Sequence, residues 1–249
     1  MEETATFMDK FGILLIGIGV VVVTLIIIVA IVSARRKRVS RQEFLIRRGY
    51  TPVDPPPPEL IQGLETIFLK GNVQEIQAHD IFHRLIPNGV VFLFDLKDIG
   101  DEESSWIGKD ILAVKSPDLQ LPRMMLQPLP ELFTQGKGTG FLAKAAERAI
   151  EWGASLSGYQ RVRFPNNPEF NNQFIVIAND QAEVSNFLSD IRMAQLRSLT
   201  RPYHIEANGD MFTIHEEESL QHHDGEKPGM EDKYTFLLAD AQKLFNWFQ

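Results

Sequence analysis

The hydrophobic pattern changes character along this chain. From Phe11 to Ala34 it has no period at all, because the run is uncharged and almost wholly apolar. At ~1.5 Å rise per residue, a helix over those positions is ~36 Å long, enough to cross a ~30 Å hydrocarbon core with some tilt. From Thr51 to Pro58 the chain is dominated by Pro52 and the four consecutive prolines Pro55 to Pro58. Such a stretch favours a stiff polyproline II rod and cannot continue a helix, so it reads as a stalk. Beyond it, helical and strand spacing alternate, as expected of a folded domain over residues 59–249.

Within that domain, Leu60, Ile61, Leu64, Ile67 and Phe68 have the spacing of a helix with one buried face, stopped at Gly71. From Val73 to Gln127 the spacing becomes that of strands. Gly89 to Phe94 is the clearest, behind a Pro-Asn-Gly turn, with Asp110 to Lys115 and Pro122 to Gln127 as further candidates. The acidic stretch 98–105 reads as an exposed hairpin tip. Phe141 to Trp152 is helical, with Thr139 to cap it and Gly153 past its end. Arg161 to Phe164 and Gln173 to Ala178 read as strands. Asp180 with Glu183 marks the start of a helix whose stripe is Val184, Phe187, Leu188 and Ile191.

Asn208-Gly209 between two alternating runs predicts a type I′ hairpin. Residues 215–229 are polar and read as a loop. A last helix, from about Glu231, presents Tyr234, Leu237, Leu238, Ala241, Leu244, Phe245 and Phe248 on one face. Paired strands with helices between blocks, and no repeated βαβ unit, predict an α+β domain with an antiparallel sheet behind a single N-terminal transmembrane helix.

Charge sets the expected orientation. Glu2, Glu3, Asp9 and Lys10 precede the apolar run, within the short outer N-terminus 1–10. Arg35, Arg36, Lys37, Arg38, Arg41, Arg47 and Arg48 follow it in the basic segment 35–50. The side richer in Lys and Arg stays cytoplasmic, so the pattern predicts a single-pass protein of the cell membrane with its C-terminal domain inside. Arg35, Arg36, Lys37, Arg38 and Arg41 can also attract anionic lipid. A cleaved secretory signal fits poorly, since its charges belong before a shorter apolar region. Thr24 is the only polar residue deep in the run, and no ionisable group suggests more than a tether.

The net charge of −8 hides a division, because residues 51–249 hold 17 Lys/Arg and 29 Asp/Glu, net −12. An acidic domain is repelled by phosphate backbones, which argues against nucleic acid as a partner. There is no cysteine, which removes disulfides, thiolate metal sites and a cysteine nucleophile.

Leu121-Pro122-Arg123-Met124-Met125-Leu126-Gln127-Pro128, then Pro168-Glu169-Phe170-Asn171-Asn172-Gln173-Phe174-Ile175-Val176 running on through Asp180-Gln181 to Glu183, and the hairpin Phe212-Thr213-Ile214 form a recognisable series. It resembles a group of bacterial membrane-anchored proteins with a cytoplasmic-type domain of no established function. The resemblance covers roughly residues 75–215. It implies the architecture just described and no catalytic residue.

Candidate chemistry is sparse. Gly136-Lys137-Gly138-Thr139-Gly140 precedes a helix, and Lys137, Gly138, Thr139 and Gly140 are candidate phosphate contacts, without Walker spacing. His79 and His83 are four apart, as two metal ligands on a helix would be. The segment leans towards strand, however, and lacks the glutamate of H-E-x-x-H. The polar stretch with His215, His222 and His223 reads as a solvated loop.

No cofactor is expected. The leading expectation is a membrane-anchored protein whose domain binds or tethers a protein partner, with the acidic 98–105 tip and the 215–229 loop as contact candidates. The rivals are a membrane-tethered phosphate- or metal-dependent hydrolase, which needs two of Lys137, His79, His83 and His204 to converge, and a lipid-sheltering domain, which needs a cavity open towards the stalk.

Overall fold

The structure, a computed structural model, describes residues 22–30, 32–33, 35, 38–68, 75–99, 105–129, 158–216 and 229–249. The chain divides into two compact units, Met1–Gly49 and Tyr50–Gln249. In the first, the described residues from 22 to 47 are helical. The expected transmembrane helix is corrected here: among the described residues no helix is long and apolar enough to cross a membrane. Residues 11–21 of the expected span lie outside the described residues. The described helical residues carry the charges Arg35, Arg38, Arg41, Glu43 and Arg47, which a hydrocarbon core disfavours.

The second unit is α+β, as the alternating spacings predict. Its strands are β1 (Thr51–Pro52), β2 (Ile76–Ile86), β3 (Gly89–Asp98), β4 (Ser105–Lys115), β5 (Leu121–Pro128), β6 (Gln160–Val162), β7 (Phe174–Ala178), β8 (Tyr203–Gly209) and β9 (Met211–Glu216). Its helices are α1 (Pro58–Ile67), α2 (Pro168–Asn171), α3 (Gln181–Phe187), α4 (Asp190–Arg197) and α5 (Met230–Phe248). The strands form a nine-stranded sheet in the order β1-β2-β3-β4-β9-β8-β5-β7-β6. Every pairing in it is antiparallel. The meander β2-β3-β4 joins the remainder through β9, with Leu112 opposite Ile214 and Lys115 opposite Met211.

Period-two alternation gives the sheet two buried faces. One is covered by α1, whose Leu60, Leu64 and Ile67 pack on Ala78, Phe92, Phe94, Ile111, Ala113 and Met211. Leu60 and Leu64 are both fully buried, and each such side chain contributes ~2 kcal/mol relative to exposure. Gly63 lets α1 approach closely, since a Cβ there would lie 2.4 Å from Met211 Sδ and would displace that side chain. The other face carries α5, where Phe248 meets Phe212 edge-on at 5.5 Å and Phe187 at 5.4 Å.

Several local expectations are revised. The proline-rich segment begins in the sheet, because Thr51 pairs with His83, Pro52 pairs with Phe82, and Val53 N–H donates to Ile81. The hairpin after Asn208 turns one residue later than expected. Asn208 pairs with Met211, and of the two turn residues Gly209 has the positive φ of 59°. A positive φ at the first turn position is the type II′ arrangement. Asp180 does cap a helix, accepting from Glu183 N–H at 2.9 Å. That helix, however, ends at Phe187. Ser189 caps a new one, α4, and Ile191 is left 73% exposed rather than in the core. The 141–152 helix lies outside the described residues.

Positive-φ aspartates mark two of the register shifts in the meander. Asp80 (φ 48°) interrupts the register between His79 and Phe82, and Asp110 (φ 55°) lies where β3 and β4 slip. Aspartate is among the few residues that tolerate this left-handed backbone. Asp110 also receives the Tyr234 hydroxyl and Lys233 Nζ (2.8 Å), which fixes the start of α5 against the bulge.

Candidate binding groove and a buried polar row

A groove of about 460 Å³ opens at the β5/β7 end of the sheet. Its apolar surface comes from Leu129, Phe174, Leu196, Leu199 and Pro202. Its polar edge comes from Glu169, Asn172, Gln173, Arg197, Thr200 and Arg201.

Three local devices build the two walls. On one side, Asn167 caps α2 by accepting from Phe170 N–H, and the Asn171 side chain clamps both backbone groups of Phe164, at 3.1 and 2.7 Å. Phe164, Phe170 and Phe174 then stack in series, with ring centroids 5.5 and 5.1 Å apart. On the other side, Arg192 ties α4 to its neighbours by donating to Trp247 O at 3.0 Å and to Phe187 O at 2.9 Å.

Asp240 of α5, fully buried, holds the turn after α4. It accepts from Thr200 N–H (2.9 Å), Thr200 Oγ1 (3.2 Å) and Lys243 Nζ (2.7 Å). Burial, with Asp240 and Glu216 nearby, raises the pKa of the neighbouring Tyr203 phenol, so it stays neutral. Sequence spacing could not mark Asp240, because it lies on the helix face that the apolar residues define.

The rim bears two guanidinium groups. Arg197 pairs with Glu169 across the groove at 2.5 Å, and the Glu169 side chain is 69% exposed. Arg201 approaches Glu216 at 3.3 Å and lies 5.4 Å from the centre of the Phe236 ring.

On the α1 face of the sheet runs a second feature, a row of polar side chains. The pairs His204–His215 and Glu206–Thr213 are direct cross-strand neighbours of β8 and β9. The two imidazoles stack with centroids 4.8 Å apart, and His204 Nε2 lies 3.1 Å from Glu206 Oε1. Glu206, Thr213 and His215 are all buried. Glu206 Oε2, Thr213 Oγ1 and His215 Nδ1 have no hydrogen-bond partner among the described residues. Burial first, then the neighbouring His204 and Lys233, lowers His215 to about 3. The expectation that His215 belongs to a solvated loop is therefore corrected: it is an inward-facing residue of β9. The row continues to Tyr159, whose ring carries the Arg123 guanidinium at 5.2 Å. Burial raises the pKa of that phenol, against Arg123.

Of the expected site residues, the described histidines lie apart. His79 and His83 lie on β2, on either side of the Asp80 bulge, opposite Asp95 and Phe92. The strands β3, β4 and β9 separate them from His204 on β8. No group of three or more His, Cys, Asp or Glu among the described residues is placed to hold a metal ion. Lys137, Gly138, Thr139 and Gly140 lie outside the described residues, as do Arg36 and Lys37. Arg35 and Arg38 are exposed on the N-terminal helix, while Arg41 is 8% exposed. Asp98 and Ser105 pair as the base of the β3–β4 hairpin, but residues 100–104 and 217–228, the centres of the two acidic stretches, lie outside the described residues. The groove itself could not be found from spacing, since it draws on segments far apart in sequence.

The fold and groove define an α+β domain built on one antiparallel sheet. No family model matches the chain. No curated protein matches it by sequence. Among solved structures it is similar to the mycobacterial trehalose monomycolate transport factor A, TtfA, with a TM-score of 0.48 and 8% identity over 84% of this chain and 92% of that one. A likeness of that degree carries no functional argument.

Proposed function

We propose that the sheet domain is a protein-binding module that takes an extended segment of a partner into the groove between α2 and α4. The observation that carries this reading is the groove itself. It is concave and about 460 Å³ in volume, and it joins apolar surface from Leu129, Leu199 and Pro202 to polar groups along its edge. That is the composition of a recognition site, with apolar area for affinity and polar groups for orientation.

The hydrolase alternative finds no support in the placement of His79, His83 and His204. The lipid-sheltering alternative asks for a cavity open towards the proline-rich segment, whereas β1 is one edge of the sheet and β7 lies six strands beyond its neighbour β2 in the strand order.

The test is capture of partners by the full-length protein, comparing Leu199→Asp in the groove with Leu85→Asp, a control at a side chain 77% exposed on β2. A partner retained by wild type and by the Leu85 variant, and lost from the Leu199 variant, supports the reading. Equal recovery by all three refutes it.

A further inference from the structure

We infer that the segment bound in the groove carries a carboxylate, and that Glu169 holds that carboxylate's place while the groove is empty. This rests on the groove being a protein-binding site. Charge complementarity is what points to the occupant. The domain as a whole is acidic, with 17 Lys/Arg against 29 Asp/Glu in residues 51–249. The groove does not share that acidic excess, since its charged lining is Arg197, Arg201 and Glu169, with Glu216 paired to Arg201.

The two arginines are not held alike. Arg201 is fixed from behind, between Glu216, whose side chain is 6% exposed, and the Phe236 ring. Arg197, at the last turn of α4, has as its partner a glutamate whose own side chain is 69% exposed. An ion pair that open to solvent is weak and readily exchanged. A carboxylate on an incoming segment, steadied by apolar contacts to Leu129, Leu199 and Pro202, takes over the Arg197 guanidinium and releases Glu169 to water. The arrangement has the geometry of a self-occupied site: a fork-shaped donor that suits a planar carboxylate, already filled by one from the same chain.

The experiment uses the full-length protein and a displayed library of random peptides, followed by binding measurements on the selected peptides with wild type, Arg197→Gln and Glu169→Gln. Circular dichroism of both variants confirms an unchanged fold. The expected result is enrichment of peptides that combine Asp or Glu with apolar residues. Binding should fall about tenfold in Arg197→Gln, as expected for loss of a charge-assisted hydrogen bond. It should tighten about threefold in Glu169→Gln, the equivalent of a freed surface pair. Selected peptides without acidic residues, or affinities that are unchanged in Arg197→Gln or weakened in Glu169→Gln, overturn the carboxylate inference and leave the binding module standing. Failure of the wild-type protein to select any groove-dependent peptide overturns both.

Discussion

Acidification should destabilise the sheet domain through His215, and the size of the effect can be worked out. The imidazole is 7% exposed on β9, stacked on His204, and held neutral at about 3. In the unfolded chain the same group titrates near 6.5. Between those values the unfolded state binds a proton that the folded state refuses, so stability falls as pH drops through that window. From pH 7 to pH 5 the loss attributable to this one residue is ~2 kcal/mol, a large part of a typical domain's stability.

The groups facing His215 are His204 and Glu206 from β8, Lys233 from α5, and the Gly108–Ile111 bulge of β4. Carboxylates elsewhere also titrate in this range, so the measurement is a difference. Urea unfolding is followed by circular dichroism at pH 7 and pH 5 for wild type and His215→Leu. Wild type should lose ~2 kcal/mol more than the variant on acidification, because leucine has no proton to take. Equal losses in the two proteins would falsify the assignment of His215 as an inward-facing neutral group.

Two further outcomes test the packing that forms the groove and the meander. Asp240→Asn keeps the shape of a buried side chain while removing its charge and one of its acceptors, so it should cost ~3 kcal/mol in urea unfolding. A change within ~0.5 kcal/mol would mean that the Thr200 turn is held by other contacts. Gly89→Ala places a Cβ 2.6 Å from the backbone oxygen of Lys115. That oxygen cannot swing aside as a side chain can, so a loss of ~1–3 kcal/mol is expected, measured as a fall in thermal midpoint.

The helix faces and the strands were legible because period is a local property. The buried positions of α1 and α5 follow from apolar spacing, and β3 follows from its β-branched and aromatic run. What spacing missed was polar and non-local. His215 reads as part of a loop because its neighbours Glu216 to Glu218 are acidic, and nothing in that stretch announces the cross-strand partner His204. Asp240 breaks the apolar stripe of α5, and its reason is Thr200, forty positions earlier. The break at Ser189 was hidden by a stripe that runs on to Ile191, since an internal cap competes with continued helix through a single side-chain hydrogen bond, here from Arg192 N–H at 3.3 Å. The groove was illegible for the same reason: its walls meet only after β5, β7 and α4 have been placed.

The joining of β4 to β9 has a consequence for how the protein is made. The four register pairs from Leu112↔Ile214 to Lys115↔Met211 link positions about a hundred residues apart, so this seam cannot close by local pairing. A nascent chain emerging from the ribosome can zip the β2–β4 ribbons early, but β4 must then wait, its outer border bare, until β9 has been synthesised about a hundred residues later. Chains interrupted before β9 are left with an adhesive margin, and chaperone demand should peak in that interval of translation.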